Sequence, residues 1–180
     1  MMLSVQQRFI LDALRNLGCI RRDQLLVLTR EKFRRDDLVI SERRMDAMLR
    51  QLRYGMGDFR LEGDLVKLSQ SSPDAQRLEA IDVMLELTRG SPLDFNARLR
   101  RPVLLQFTWE QSAGAARPFT VAAMPDMETE RTERLAQYRR ARVIWLCEGG
   151  PPDGLTLPDK HFIAVRNPDG THGFYGAPAP

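Results

Sequence analysis

Four arginines, Arg43, Arg44, Arg50 and Arg53, lie close together in the stretch ISERRMDAMLRQLRYG, residues 40–55, with Gln51 among them. A guanidinium binds phosphate, or forks onto O6 and N7 of guanine, and a glutamine amide makes paired hydrogen bonds to adenine. The interleaved Met45, Met48, Leu49 and Leu52 recur at helical spacing. If they face a core, the opposite face is built around Arg43, Ala47 and Arg50, with Arg44, Gln51 and Arg53 at its margins. Arg60 and Lys67 further along, and Arg34 and Arg35 before this segment, are candidate phosphate contacts. The bland alternative is a solvated charged helix face that touches nothing.

Other chemistry is thin. Glu110, Asp126 and Glu128 could hold a divalent metal, but Lys160 is the only lysine in the second half and lies across a loop from them. Asp126 reads more simply as a helix cap and Glu128 as a first-turn dipole partner. His161 and His172 could face each other across a terminal hairpin, yet no Cys or carboxylate set accompanies them. Cys19 and Cys147 sit apart in apolar sequence and read as buried free thiols of a reducing cytosol. The Gly149-Gly150 pair lacks the lysine and helix of a phosphate loop. The expectation is therefore no catalytic residue, no metal and no cofactor.

The elements that must position these residues follow from local signals. Ser4 and Gln7 fit a capping box, and Phe9, Ile10, Ala13, Leu14 and Leu17 form a stripe that Gly18 ends. Asp23 is the expected N-cap of a second helix, with Leu25, Leu26, Leu28 and Phe33, and Ser41 caps a third that stops near Gly55. Phe59–Leu61 and Leu65–Leu68 flank a turn and predict a hairpin. Pro73 is expected at the first position of a fourth helix through Leu78, Ile81 and Leu85, ended by Gly90. Strands are expected at 103–109, 118–124 and 141–147, with a helix from Met127 to Arg140 before the last, and a final pair at 161–165 and 171–175. Trp109, Trp145, Phe107, Phe119 and Tyr138 read as core.

Charge is distributed unevenly. Residues 1–70 hold 14 Lys and Arg against 10 Asp and Glu, and residues 71–180 hold 13 against 14, so the basic surplus is N-terminal. No apolar run approaches the roughly 18 residues that span a bilayer. The first residues, MMLSVQQRFI, lack a basic-then-apolar profile, and a cytoplasmic protein without a membrane partner is expected.

Together these signals predict an α+β chain: an N-terminal winged helix-turn-helix over 1–70, a linker helix and connection over 71–99, and a small α/β domain over 100–180. In a winged helix the third helix enters the DNA major groove and the hairpin reaches toward the backbone. The strand, strand, helix, strand order of the second half is similar to a restriction-endonuclease core, in degenerate form, because Val121, Ala122 and Ala123 occupy the strand that would carry acid and base. The runs QQRFILDAL, CIRRDQLLVLT, SERRMDAMLRQLRYG and FRLEGDLVKLS, followed by FTVAAMPDMETERTERLAQYRRARVIWLC, resemble bacterial replication-relaxation-like proteins and related winged-helix families of mobile elements and plasmids. That resemblance implies a winged helix before an endonuclease-like domain and a role in replication or transfer of the element. Double-stranded DNA is the expected partner and a homodimer the expected assembly. A metal-dependent nuclease using Glu110, Asp126 and Glu128, and a protein-docking winged helix without DNA affinity, are the alternatives.

Overall fold

A computed structural model describes residues 2–34, 39–55, 58–110 and 114–176. The chain is α+β, and its first half is built on helix ends that the sequence supplies. Helix α1 (Val5–Leu17) starts at a reciprocal capping box: the Ser4 hydroxyl accepts from the Gln7 backbone N–H at 3.1 Å, and the Gln7 side chain accepts from the Ser4 N–H at 3.0 Å. It stops at Gly18, whose φ of +76° a side chain would resist and whose N–H donates to the Leu14 carbonyl. A short strand β1 (Cys19–Arg21) follows, then α2 (Arg22–Lys32) and α3 (Glu42–Gly55). The hydroxyl of Ser41 accepts from the Arg44 N–H at the start of α3. Strands β2 (Phe59–Glu62) and β3 (Leu65–Leu68) form the hairpin, and β1 adds to β3 to give an antiparallel sheet of order β1-β3-β2.

Helix α4 (Ala75–Thr88) lies between this first half and a second sheet. Ala80, Ile81, Val83 and Met84 are all fully enclosed, because α4 has neighbours on both sides: α2 and β1 on one, and the strands that follow on the other. Those strands are β4 (Asp94–Asn96), β5 (Val103–Glu110), β6 (Ala116–Ala123), β7 (Val143–Cys147), β8 (His161–Arg166) and β9 (His172–Gly176), ordered as numbered in one sheet of six. The pairs β6–β7 and β7–β8 are parallel and the rest antiparallel. Helix α5 (Glu128–Gln137) makes the first parallel crossover, and the connection 148–160 makes the second without a helix.

Alternation along the strands divides the sheet into two apolar faces. Phe107, Phe119, Val121, Ile144, Leu146 and Ala164 join one core continuous with α1–α4. Ala122, Val143, Trp145, Cys147 and Ile163 form a second on the far face, closed by Leu135 of α5 and by Leu155 and Leu157 of the connection. The stretch 71–99, expected to link two domains, thus contributes α4 to the continuous core. No described helix is long and apolar enough to cross a membrane.

Several boundaries differ from the sequence expectation, each for a local reason. Helix α2 begins at Arg22 rather than after Asp23: β1 runs to Arg21, and the Arg22 N–H donates to the Asp64 carbonyl of the hairpin turn. Asp74, not Pro73, sits at the start of α4, because its carboxylate accepts from the N–H groups of Gln76 and Arg77. Helix α5 is capped by Met127 without a side-chain bond, so Asp126 is not its cap, and it ends at Gln137, leaving Arg139 and Arg140 beyond it.

Candidate nucleic-acid interface

Helix α3 buries Met45, Met48, Leu49 and Leu52 and exposes Arg43, Arg44, Ala47, Arg50, Gln51 and Arg53. At 100° per residue, Arg43, Ala47, Arg50 and Tyr54 run along the centre of the exposed face. Tyr54, 91% exposed, is the member that sequence reasoning missed. Its signal was available, since it stands at i+4 from Arg50 and i+7 from Ala47. Arg43, Arg44 and Arg53 make no side-chain ion pair among the described residues. Among the described residues Arg50 uses only its Nε, which donates to the Asp46 carbonyl at 3.3 Å. Gln51 is more constrained: its side-chain oxygen accepts from the Gln7 amide of α1 at 2.9 Å, which leaves the NH2 group and removes half of the pair an adenine would use.

One flank of α3 has the opposite sign. A cleft of about 560 Å³ between α2, α3 and the β2–β3 turn is lined by Asp23, Glu42, Asp46 and Asp64, with Arg22 as its one cation among the described residues. Arg22 pairs with Asp46, which neutralises the carboxylate nearest the centre of the helix. A polyanion would meet α3 from the Arg43 and Arg50 side and be repelled from the cleft.

The remaining predicted contacts separate. Arg60 is exposed on β2 directly opposite Lys67 on β3. Lys67 is only 14% exposed, with its ammonium 2.9 Å from Glu62, so it stiffens the hairpin more readily than it meets a phosphate. Arg34 follows α2 and pairs with Glu31 at 3.5 Å. Arg35 lies outside the described residues.

The structure gives the two histidines of the second half structural partners. His161 and His172 do not face each other, since Arg166 is the register partner of His172 and Val143 that of His161 on the other side. His161 accepts at Nδ1 from the Trp145 indole N–H at 3.2 Å, which puts its proton on Nε2, donated to the Tyr138 carbonyl at 3.0 Å. Burial lowers its pKa, the bond to Tyr138 offsetting this only in part. His172 is enclosed between two α4 carboxylates, with Nδ1 2.8 Å from Glu86 and Nε2 3.3 Å from Glu79. Burial alone would lower its pKa, but the hydrogen bonds and charges of Glu79 and Glu86 outweigh it and raise the value above 6.5. Burial pushes the Cys147 thiol up to about 11 and raises Cys19 too, so both are protonated and unreactive at neutral pH. Among the described residues no three His, Cys, Asp or Glu side chains gather to hold a metal, and Glu110, Asp126 and Glu128 are exposed and apart from any such group.

Compared with known protein families, with curated proteins and with solved structures, the chain matches none.

Proposed function

We propose that the first half is a winged helix-turn-helix that contacts double-stranded DNA through α3. The observation that carries this reading is Arg43, without an ion pair among the described residues, at the centre of a helix face shared with Arg50 and Tyr54, on a frame of order α1-β1-α2-α3-β2-β3. In a winged helix that face is the one that enters the major groove. Arg44 and Arg53 flank it, and Arg60 on the hairpin supplies backbone contacts. The biological setting, replication or transfer of a bacterial mobile element in the cytoplasm, rests on the resemblance of the sequence to replication-relaxation-like proteins.

The second half is a non-catalytic partner or dimerisation domain on this reading. The order α4, β4, β5, β6, α5, β7, with β6 and β7 parallel, supports an endonuclease-like ancestry, and Val121, Ala122 and Ala123 on β6 leave it without acid or base there.

Fluorescence-anisotropy titration with random duplex DNA at two salt concentrations tests the proposal. Arg43→Ala with Arg50→Ala is expected to weaken binding and lower the salt slope by about 2, since each phosphate contact contributes about 0.9. Unchanged binding would exclude α3 as the contact. The acidic cleft beside α3 favours a second reading, a winged helix that docks a protein. Absence of any salt-sensitive DNA binding by the wild-type chain would select it.

A further inference from the structure

The end of α5 and the connection that leads into β8 enclose a groove of about 1040 Å³. Arg139, Arg140 and Lys160 line it, against one carboxylate, Asp159. Among the described residues none of these three cations has an ion pair or side-chain hydrogen bond. A fourth, Arg142, sits just before β7 and beside Lys160, which sits just before β8: the Val143 N–H donates to the Lys160 carbonyl, tying the two strand starts together. The sequence assigned Arg139 and Arg140 to the last turn of the helix, where the dipole would account for them. Because α5 ends at Gln137, they project from the turn beyond it and form one wall of the groove.

Position in the fold makes this surface independent of α3. Helix α5 and the connection cover the far face of the six-stranded sheet, whereas α4 and α1 meet its strands from the near side and α2 and α3 pack on those two helices. The groove and the exposed face of α3 share no residue and no element.

We propose that this groove is a second nucleic-acid site, which takes the phosphodiester backbone, so that one chain holds two DNA segments on opposite sides of its sheet. The inference rests on the DNA-binding reading of α3 for its choice of polyanion. Three mutually repelling cations around one cavity with a single carboxylate form a field that a run of phosphates neutralises, with counterion release as the driving force. Base recognition is not expected, since contacts to the phosphodiester backbone carry no sequence information.

The test is bridging. Full-length protein is mixed with a duplex immobilised on beads, and capture of a second, fluorescent duplex is measured alongside anisotropy for a single duplex. Wild type, Arg43→Ala/Arg50→Ala, and Arg139→Ala/Arg140→Ala/Lys160→Ala are compared, with thermal melts to show that the exposed substitutions leave the fold intact. The wild type is expected to capture the second duplex. The triple variant is expected to lose capture while it still binds one duplex through α3, with the salt slope of that site unchanged. A wild-type chain that captures no second duplex overturns the proposal. So does a triple variant that captures as well as wild type, since bridging would then come from paired α3 surfaces in a dimer. Failure of the α3 reading looks different: Arg43→Ala/Arg50→Ala would bind as wild type while the triple variant lost binding, and the groove would stand alone.

Discussion

Asp82→Ala tests what fastens the arginine-bearing half to the rest of the chain. Asp82 on α4 accepts from Arg21 at 2.5 Å and from the Gln24 amide at 2.7 Å. Arg21 and Asp82 are 23% and 14% exposed, and Gln24 is 2% exposed. Removal of one partner from a fully buried pair costs about 3–5 kcal/mol. Here Arg21 keeps some water and a second, exposed carboxylate in Asp23 at 3.2 Å, so the charge contributes nearer about 2 kcal/mol. The Gln24 NH2 group keeps its bond to the Leu78 carbonyl but loses its other partner in a closed interior, which adds about 1 kcal/mol. The expected loss is about 3 kcal/mol, or a fall in Tm of roughly 6–12 °C for a chain of this size. Urea and thermal unfolding followed by circular dichroism measure it. Asp82→Asn keeps an acceptor for Gln24 and is expected to lose only about 2 kcal/mol, the charge part. A loss under about 0.5 kcal/mol for Asp82→Ala would refute the claim that this network holds the two halves together.

Two further outcomes are expected. The raised pKa of His172 means that its clamp on Glu79 and Glu86 is fully present below the free-histidine value of 6.5 and is lost as pH rises through the folded value, so His172→Gln should narrow the gap in urea midpoint between mildly acidic and alkaline buffer. His161, with its lowered pKa, acts in the opposite direction and is the same in both proteins, so an unchanged gap would show that His172 is not ionised in the fold. Gly90→Ala should destabilise by more than about 1 kcal/mol, because φ is +76° and an added Cβ would lie 2.7 Å from Val27 and 2.9 Å from Glu31 of α2; a melt unchanged from wild type would mean that the exit of α4 is free to move away from α2.

Much of the secondary structure was legible because its signals are local. The Ser4 and Gln7 box, the Gly18 stop, the stripe of α3 and the hairpin around Gly63 each need only a few neighbouring residues to specify them. Strands β1 and β4 were not, being three residues each, too short for alternation to show and defined by partners β3 and β5 far along the chain. The start of α2 depended on the Asp64 carbonyl, another distant partner. At the candidate interface, the exposed face of α3 followed from periodicity, but the engagement of Gln51 by Gln7 and the enclosure of Lys67 by Glu62 required the fold. The carboxylates flanking His172 lie some ninety residues earlier in the chain, beyond any motif.

Helix α4 imposes an order on synthesis. A ribosome releases α1 through β3 before α4 has been made, and until then the flank of α2 that carries Gln24 has no Leu78 carbonyl or Asp82 carboxylate to meet. The nascent first half therefore waits with an unfinished wall, and a pause in translation after β3 has emerged and before α4 has done so lengthens that exposure.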